Sequence, residues 1–181
     1  MISKWQTTKR EKEKDLKIFN LISVERKHPE QDKQGNFVVL ESPEWINIIP
    51  ITTDNKIVLV EQYRHGIDSV TLEVPGGLVE PGEDPRMAAQ RECIEETGYA
   101  GPNDAELIGI NQPNPAFLDN LCYSYLWRSC YQQFEQKLDG NEDINVVLKS
   151  IDEVKSMILD GTIKHSIVLN AFFFYSLKYG L

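Results

Sequence analysis

Between residues 77 and 98 seven side chains stand at offsets that suggest chemistry: Gly77, Glu83, Arg91, Glu92, Glu95, Glu96 and Gly98. Were each type drawn at about 7% usage, a given window would match all seven roughly once in 10^8 tries. A solvated acidic helix face accounts for clustered glutamates, but not for the two glycines, the offset Glu83 or the spacing of the arginine. Asp84-Pro85 reads as an N-cap and first-turn pair, Pro81-Gly82 turns the chain ahead of it, and Gly98 sits where a helix stops. A helix is therefore expected over residues 85–97. At ~100° per residue, Glu92, Glu95 and Glu96 share one arc, and Met87, Ala89, Cys93 and Ile94 take the rest. Three carboxylates at i, i+3 and i+4 repel one another unless a hard divalent cation sits among them, so Mg2+, with Mn2+ as substitute, is the implied ligand. Arg91 lies one turn before Glu95, where it orients carboxylates instead of touching substrate.

The elements that must position this helix are short and regular. Residues 17–24 and 36–41 read as strands around the polar turn HPEQDKQGN, and the run KREKEKDLK reads as a solvated strand or hairpin face. Residues 45–52 and 56–62 alternate apolar side chains around the turn pair Asp54-Asn55, as in a hairpin. Residues 70–74 lead straight into the glycine loop, and 106–111, 121–127 and 144–148 are further strand candidates. Ser150 and Glu153 form a capping box for a helix that Gly161 ends, and an aromatic-rich helix is expected over 166–178.

Composition bounds the function. With 181 residues, 41% of them apolar, and no long apolar run, the chain can bury a full core without a membrane or disulfides. The stretch AFFFYSL is too short to span a bilayer. A net charge of -9 with no basic cluster argues against RNA or DNA as partner and leaves metal-screened small substrates open. Cys93, Cys122 and Cys130 are odd in number and lack metal-ligand spacing, and no signal peptide follows Met1, which makes a reducing cytoplasm the expected location. His28, His65 and His165 likewise lack ligand spacing and read as surface or loop residues.

The segment GGLVEPGEDPRMAAQRECIEETGY resembles the signature of the Nudix hydrolases, complete in its fixed positions, with Cys93 and Tyr99 where that family has a bulky or aliphatic residue. The resemblance implies an α+β fold, an αβα sandwich with a mixed sheet, and hydrolysis of a nucleoside diphosphate linked to another group. Carried over by position, it gives Glu92 and Glu96 as principal metal ligands, Glu95 as an additional one, the Gly76 carbonyl completing the shell, and Glu83 supporting the helix. VEQYRHG followed by LEVPGG looks like the ADP-ribose and nucleotide-sugar pyrophosphatases, in which Arg64, beside Gln62, would contact a phosphate or the sugar. Pro115, sixteen residues beyond Tyr99, stands where that subfamily shows a proline, while Ala116 and Asn120 depart from its usual Gly and Glu.

The loop GNEDINV resembles the one that supplies a mobile glutamate in these enzymes. Glu142 is the matching candidate base, with Asp139, Asp143 and the helix acids as alternatives. The subfamily also implies a homodimer in which residues 1–44 form a small sheet exchanged between subunits and residues 45–181 form the catalytic domain. An aromatic of Trp5, Phe19, Phe37 or Trp45 would then be available to stack on the base. Cleavage of a nucleoside diphosphate sugar to a nucleoside monophosphate and a sugar phosphate is the reaction so implied. The alternatives are a dinucleoside polyphosphate or dinucleotide cofactor as substrate, and a sensor that binds ADP-ribose without turnover.

Overall fold

The charged run near the N-terminus is a strand, β1 (Gln6–Asp15), exposed along its whole length in the computed structural model, which describes residues 1–180. It pairs antiparallel with β2 (Asn20–Lys27), which pairs antiparallel with β3 (Gln34–Glu41). The strand expected from residue 17 begins at Asn20, because Lys17 adopts a positive φ in a turn where its N–H is held by the Asp15 carboxylate. This three-stranded sheet belongs to a first unit made of Met1–Pro43 and Gln112–Leu121. The later segment is tied in through the Leu40 N–H on the Phe117 carbonyl and the Asn120 side-chain amide on the Pro43 carbonyl. Nothing in the polar sequence of residues 112–121 announces this return, which depends on pairings made only in the folded chain.

The second unit, Glu44–Asn111 and Cys122–Leu181, holds the remaining elements. In order they are β4 (Trp45–Thr52), β5 (Lys56–Arg64), β6 (Ser69–Glu73), β7 (Gly76–Leu78), α1 (Pro85–Thr97), β8 (Tyr99–Ala100), β9 (Glu106–Asn111), β10 (Cys122–Gln132), β11 (Ile144–Ser150), α2 (Ile151–Leu159) and α3 (Ser166–Tyr179). The sheet is mixed. β4 runs parallel to β10 and antiparallel to β7, and β5 lies between β11 and β6. The expected β4–β5 hairpin is present at its turn, where the Thr52 hydroxyl holds Asp54 and Lys56, but the strands pair only at Ile51 and Ile57; nearer its start β4 pairs with β7 instead, while β10 pairs with it from Trp45 to Thr52.

Alternation along β4 sorts the two layers. Ile46 and Ile48 face a core with Ala88, Ala89 and Cys93 of α1, while Ile49 and Ile51 face a core with Val154 of α2 and Val168 and Phe172 of α3. Period-two alternation in a strand thus meets a helix on each side of the sheet, the αβα arrangement. All of these side chains are buried, each contributing about 1.5–3 kcal/mol for its larger apolar members.

Candidate active site

Helix α1 starts where the sequence predicts. The Asp84 carboxylate accepts the Arg86 and Met87 N–H groups, Pro85 occupies the first turn, and Gly98 ends the helix at φ 74° with its N–H on the Ile94 carbonyl. A side chain at Gly98 would also collide with the Phe134 carbonyl, so the glycine is required twice over.

The residues on α1 are organised by Arg91. Its Nε and Nη2 fork onto the Glu83 carboxylate, both at 3.0 Å, its Nη1 donates to Glu92 at 2.8 Å and Glu95 at 3.1 Å, and its Nη2 also reaches the Leu78 carbonyl. Arg91 hydrogen bonds hold Glu83 below the usual carboxylate range, and Glu83 in turn leads the effects that push the guanidinium higher. Glu92 and Glu96 behave differently. Burial raises Glu92 despite Arg91, and burial pushes Glu96 up to about 8, with the charges of Glu92 and Glu142 adding to it and the Gly76 N–H opposing it.

The glycine loop lies against these carboxylates. The Gly76 N–H donates to Glu96 Oε2 at 3.0 Å, and a Cβ on Gly77 would fall 2.4 Å from the Glu92 carboxyl group. A side chain on Gly77 would push the Glu92 carboxylate from its place beside Arg91. The Glu142 loop is a closed turn, with the Glu142 N–H on the Asp139 carbonyl and the Asp139 N–H on Glu142 Oε2 at 3.0 Å. Glu142 adds its charge to Glu92, Glu96 and Arg64 alike, so the loop acid shares their electrostatic field.

A hard divalent cation fits this chemistry: the donors are carboxylate oxygens, and burial disfavours the charged forms of Glu92 and Glu96, a deficit that a cation among them would fill. Among the described residues no three His, Cys, Asp or Glu side chains converge tightly enough to hold a metal, and the Arg91 guanidinium binds Glu83, Glu92 and Glu95.

Arg64 ends β5, and its Nε and Nη2 fork onto the buried Glu73 of β6 at 2.9 and 2.7 Å. Gln62, two residues earlier, pairs with Thr71 on β6 and Ile144 on β11. Trp45 opens β4 opposite Leu78, the residue whose carbonyl Arg91 holds. Pro115 belongs to the first unit, where it lines a groove of about 570 Å³ with Trp5, Phe37 and Phe117.

Three residues near these groups, Glu73, His165 and Gln136, carry no role that their local sequence assigns. Glu73 is a charged residue inside the otherwise apolar run LEV, a signal that was legible. His165, expected at the surface, places Nδ1 2.8 Å from Glu73 Oε2, and His28, also expected there, is buried and accepts the Glu30 and Gln31 N–H groups. Gln136 donates to the Glu96 and Ile144 carbonyls, and no local pattern marks it.

Residues 44–171 match the NUDIX domain model, and the chain belongs to the NUDIX domain family. It is 34% identical over 129 residues to the methanol dehydrogenase activator of Bacillus methanolicus, covering 71% of this chain and 69% of that protein. It is 26% identical over 121 residues to the ADP-ribose pyrophosphatase of Bacillus subtilis (strain 168), covering 66% and 65% respectively. A solved structure titled as an ADP compounds hydrolase superposes with a TM-score of 0.85 at 20% identity, over 100% of this chain and 99% of that one, which establishes the fold. Nudix hydrolases generally need a divalent metal.

Proposed function

We propose that the chain is a Mg2+-dependent pyrophosphatase that splits nucleoside diphosphate sugars of the ADP-ribose type into a nucleoside monophosphate and a sugar phosphate. The observation that carries this is the Glu92–Glu96 pair on one face of α1, both raised by burial and by the charge of Glu142, with Arg91 bonded to Glu92 and Glu95 beside them. The bound cation would neutralise pyrophosphate oxygens and acidify water. Glu92 and Glu96 would hold it, with Glu95 and the Gly76 carbonyl as further ligands. Glu142 keeps Oε2 on the Asp139 N–H, which leaves Oε1 to take a proton from the attacking water. Arg64 Nη1, outside the fork to Glu73, would bind a phosphate oxygen, and Gln62 and Trp45 would complete the substrate contacts.

A homodimer suits the first unit, whose β3 leaves Phe37 and Val38 open. The three buried free thiols suit a reducing cytoplasm. No helix among the described residues is long and apolar enough to cross a membrane. The similarity to a methanol dehydrogenase activator favours a second reading, in which the chain enhances a dehydrogenase; adding it to an alcohol dehydrogenase assay tests this.

The deciding experiment incubates the protein and Mg2+ with ADP-ribose, GDP-mannose, UDP-glucose, diadenosine polyphosphates and coenzyme A, and identifies products by mass. Nucleoside monophosphate plus sugar phosphate is the expected result. Activity confined to the other pyrophosphates would replace the substrate class, and binding without turnover would make the chain a sensor.

A further inference from the structure

The acceptor sites of the Glu73 carboxylate are filled from three directions. Arg64 forks onto both oxygens, the Thr71 hydroxyl donates to Oε1 at 2.6 Å, and His165 Nδ1–H donates to Oε2 at 2.8 Å. Burial pushes Glu73 up, yet the Arg64 fork, His165 and Thr71 outweigh it and hold the group well below the usual carboxylate range. The carboxylate is fully buried, whereas the Arg64 side chain is 42% exposed. A simple internal ion pair would bury both partners. Here the acid serves as a fixed base plate and the cation keeps its outer edge free for an anion.

His165 occupies the N-cap of α3, a position where Ser, Thr, Asp and Asn are preferred because their side chains satisfy a free helix N–H. His165 makes no such cap bond; its ring is turned to Glu73 instead. The helix forgoes a local stabilisation, and what replaces it is a contact with the group that fixes Arg64.

We propose that His165 is a positioning residue that acts through Glu73 to orient Arg64 Nη1 toward the pyrophosphate oxygens of the substrate. This rests on the pyrophosphatase reading, and its test separates the two. His165→Ser supplies a helix cap and removes the ring, so a merely structural role predicts a changed Tm with KM and kcat unmoved. The expected result is KM for ADP-ribose raised about tenfold and kcat within about threefold, with a small change in Tm because the cap gained offsets the hydrogen bond lost to Glu73. His165→Asn, whose amide can donate from nearly the same place as Nδ1, should restore most of the KM. In an Arg64→Ala background, His165→Ser should add nothing further, since the residue it orients is gone.

An unchanged KM in His165→Ser, or effects that multiply in the double variant, would overturn the positioning role while the parent's turnover leaves the pyrophosphatase reading in place. A parent protein that turns over no nucleotide sugar would overturn both.

Discussion

Glu96 is the residue whose chemistry depends most on what surrounds it. In the metal-free fold it keeps its proton up to about pH 8, against an ordinary value of 4.5. The folded state therefore binds more protons than the unfolded chain between those values, and stability falls as pH rises through that window, by on the order of 5 kcal/mol at most. Thermal melts in a chelator should show Tm declining from pH 5 to pH 8.5, and Glu96→Gln should flatten that decline. Because a cation displaces the proton, Mg2+ should raise Tm more at pH 8 than at pH 6. The same Gln variant keeps an oxygen for the Gly76 N–H, so it should fold normally yet lose turnover by about 10^2 or more. Unfolding of the variant, or full activity, would remove Glu96 from the proposed metal site. Arg91→Ala should act in the opposite sense on stability: Glu83, Glu92 and Glu95 lose their shared cation, and the melting temperature should drop in chelator and partly recover as Mg2+ is titrated.

At the scale of elements, α1 was readable because its signals are local: a cap, a proline, a left-handed glycine and a fixed acidic spacing all lie within one short stretch. The strand limits of β4 and β9 follow equally from alternation, and α2 from its capping box. What the sequence could not reveal is set by partners distant in the chain. The short strands β7 and β8 exist only as pairings with β4 and β10. Gln136 matters for the same reason. The segment before β11 covers the open carbonyls at the end of α1, with the Lys137 N–H on Glu95, Gln136 Nε2 on Glu96 at 2.6 Å, and the Gln133 and Phe134 N–H groups on Gly98. One amide thus joins α1 to the first residue of β11, just after the Glu142 loop. Gln136→Leu should lower stability by only about 1 kcal/mol, as water replaces an exposed amide. Steady-state kinetics should show kcat reduced several-fold with KM little changed; an unaltered kcat would mean that the loop is placed without this link.

For the molecule as a whole, the first unit makes the next demand. The open Phe37 and Val38 of β3 are the apolar surface that a second copy would cover, whereas the alternating Lys and Glu of β1 keep its edge hydrated. Sedimentation should return a dimer mass, and Phe37→Glu should shift it toward the monomer while circular dichroism stays unchanged; a monomeric parent would remove the dimer from the proposal.

The parallel pairing of β4 with β10 has a kinetic consequence. Trp45 finds its neighbour Cys122 only after the whole intervening chain, α1 included, has emerged and looped back. A nascent chain leaving the ribosome therefore holds β4 and α1 without the strand that completes their sheet, and renaturation from denaturant should take milliseconds to seconds, the range of folds dominated by distant pairings. During that interval the apolar face of β4 is open to chaperones or to aggregation, and recovery of soluble protein should fall with rising concentration during refolding.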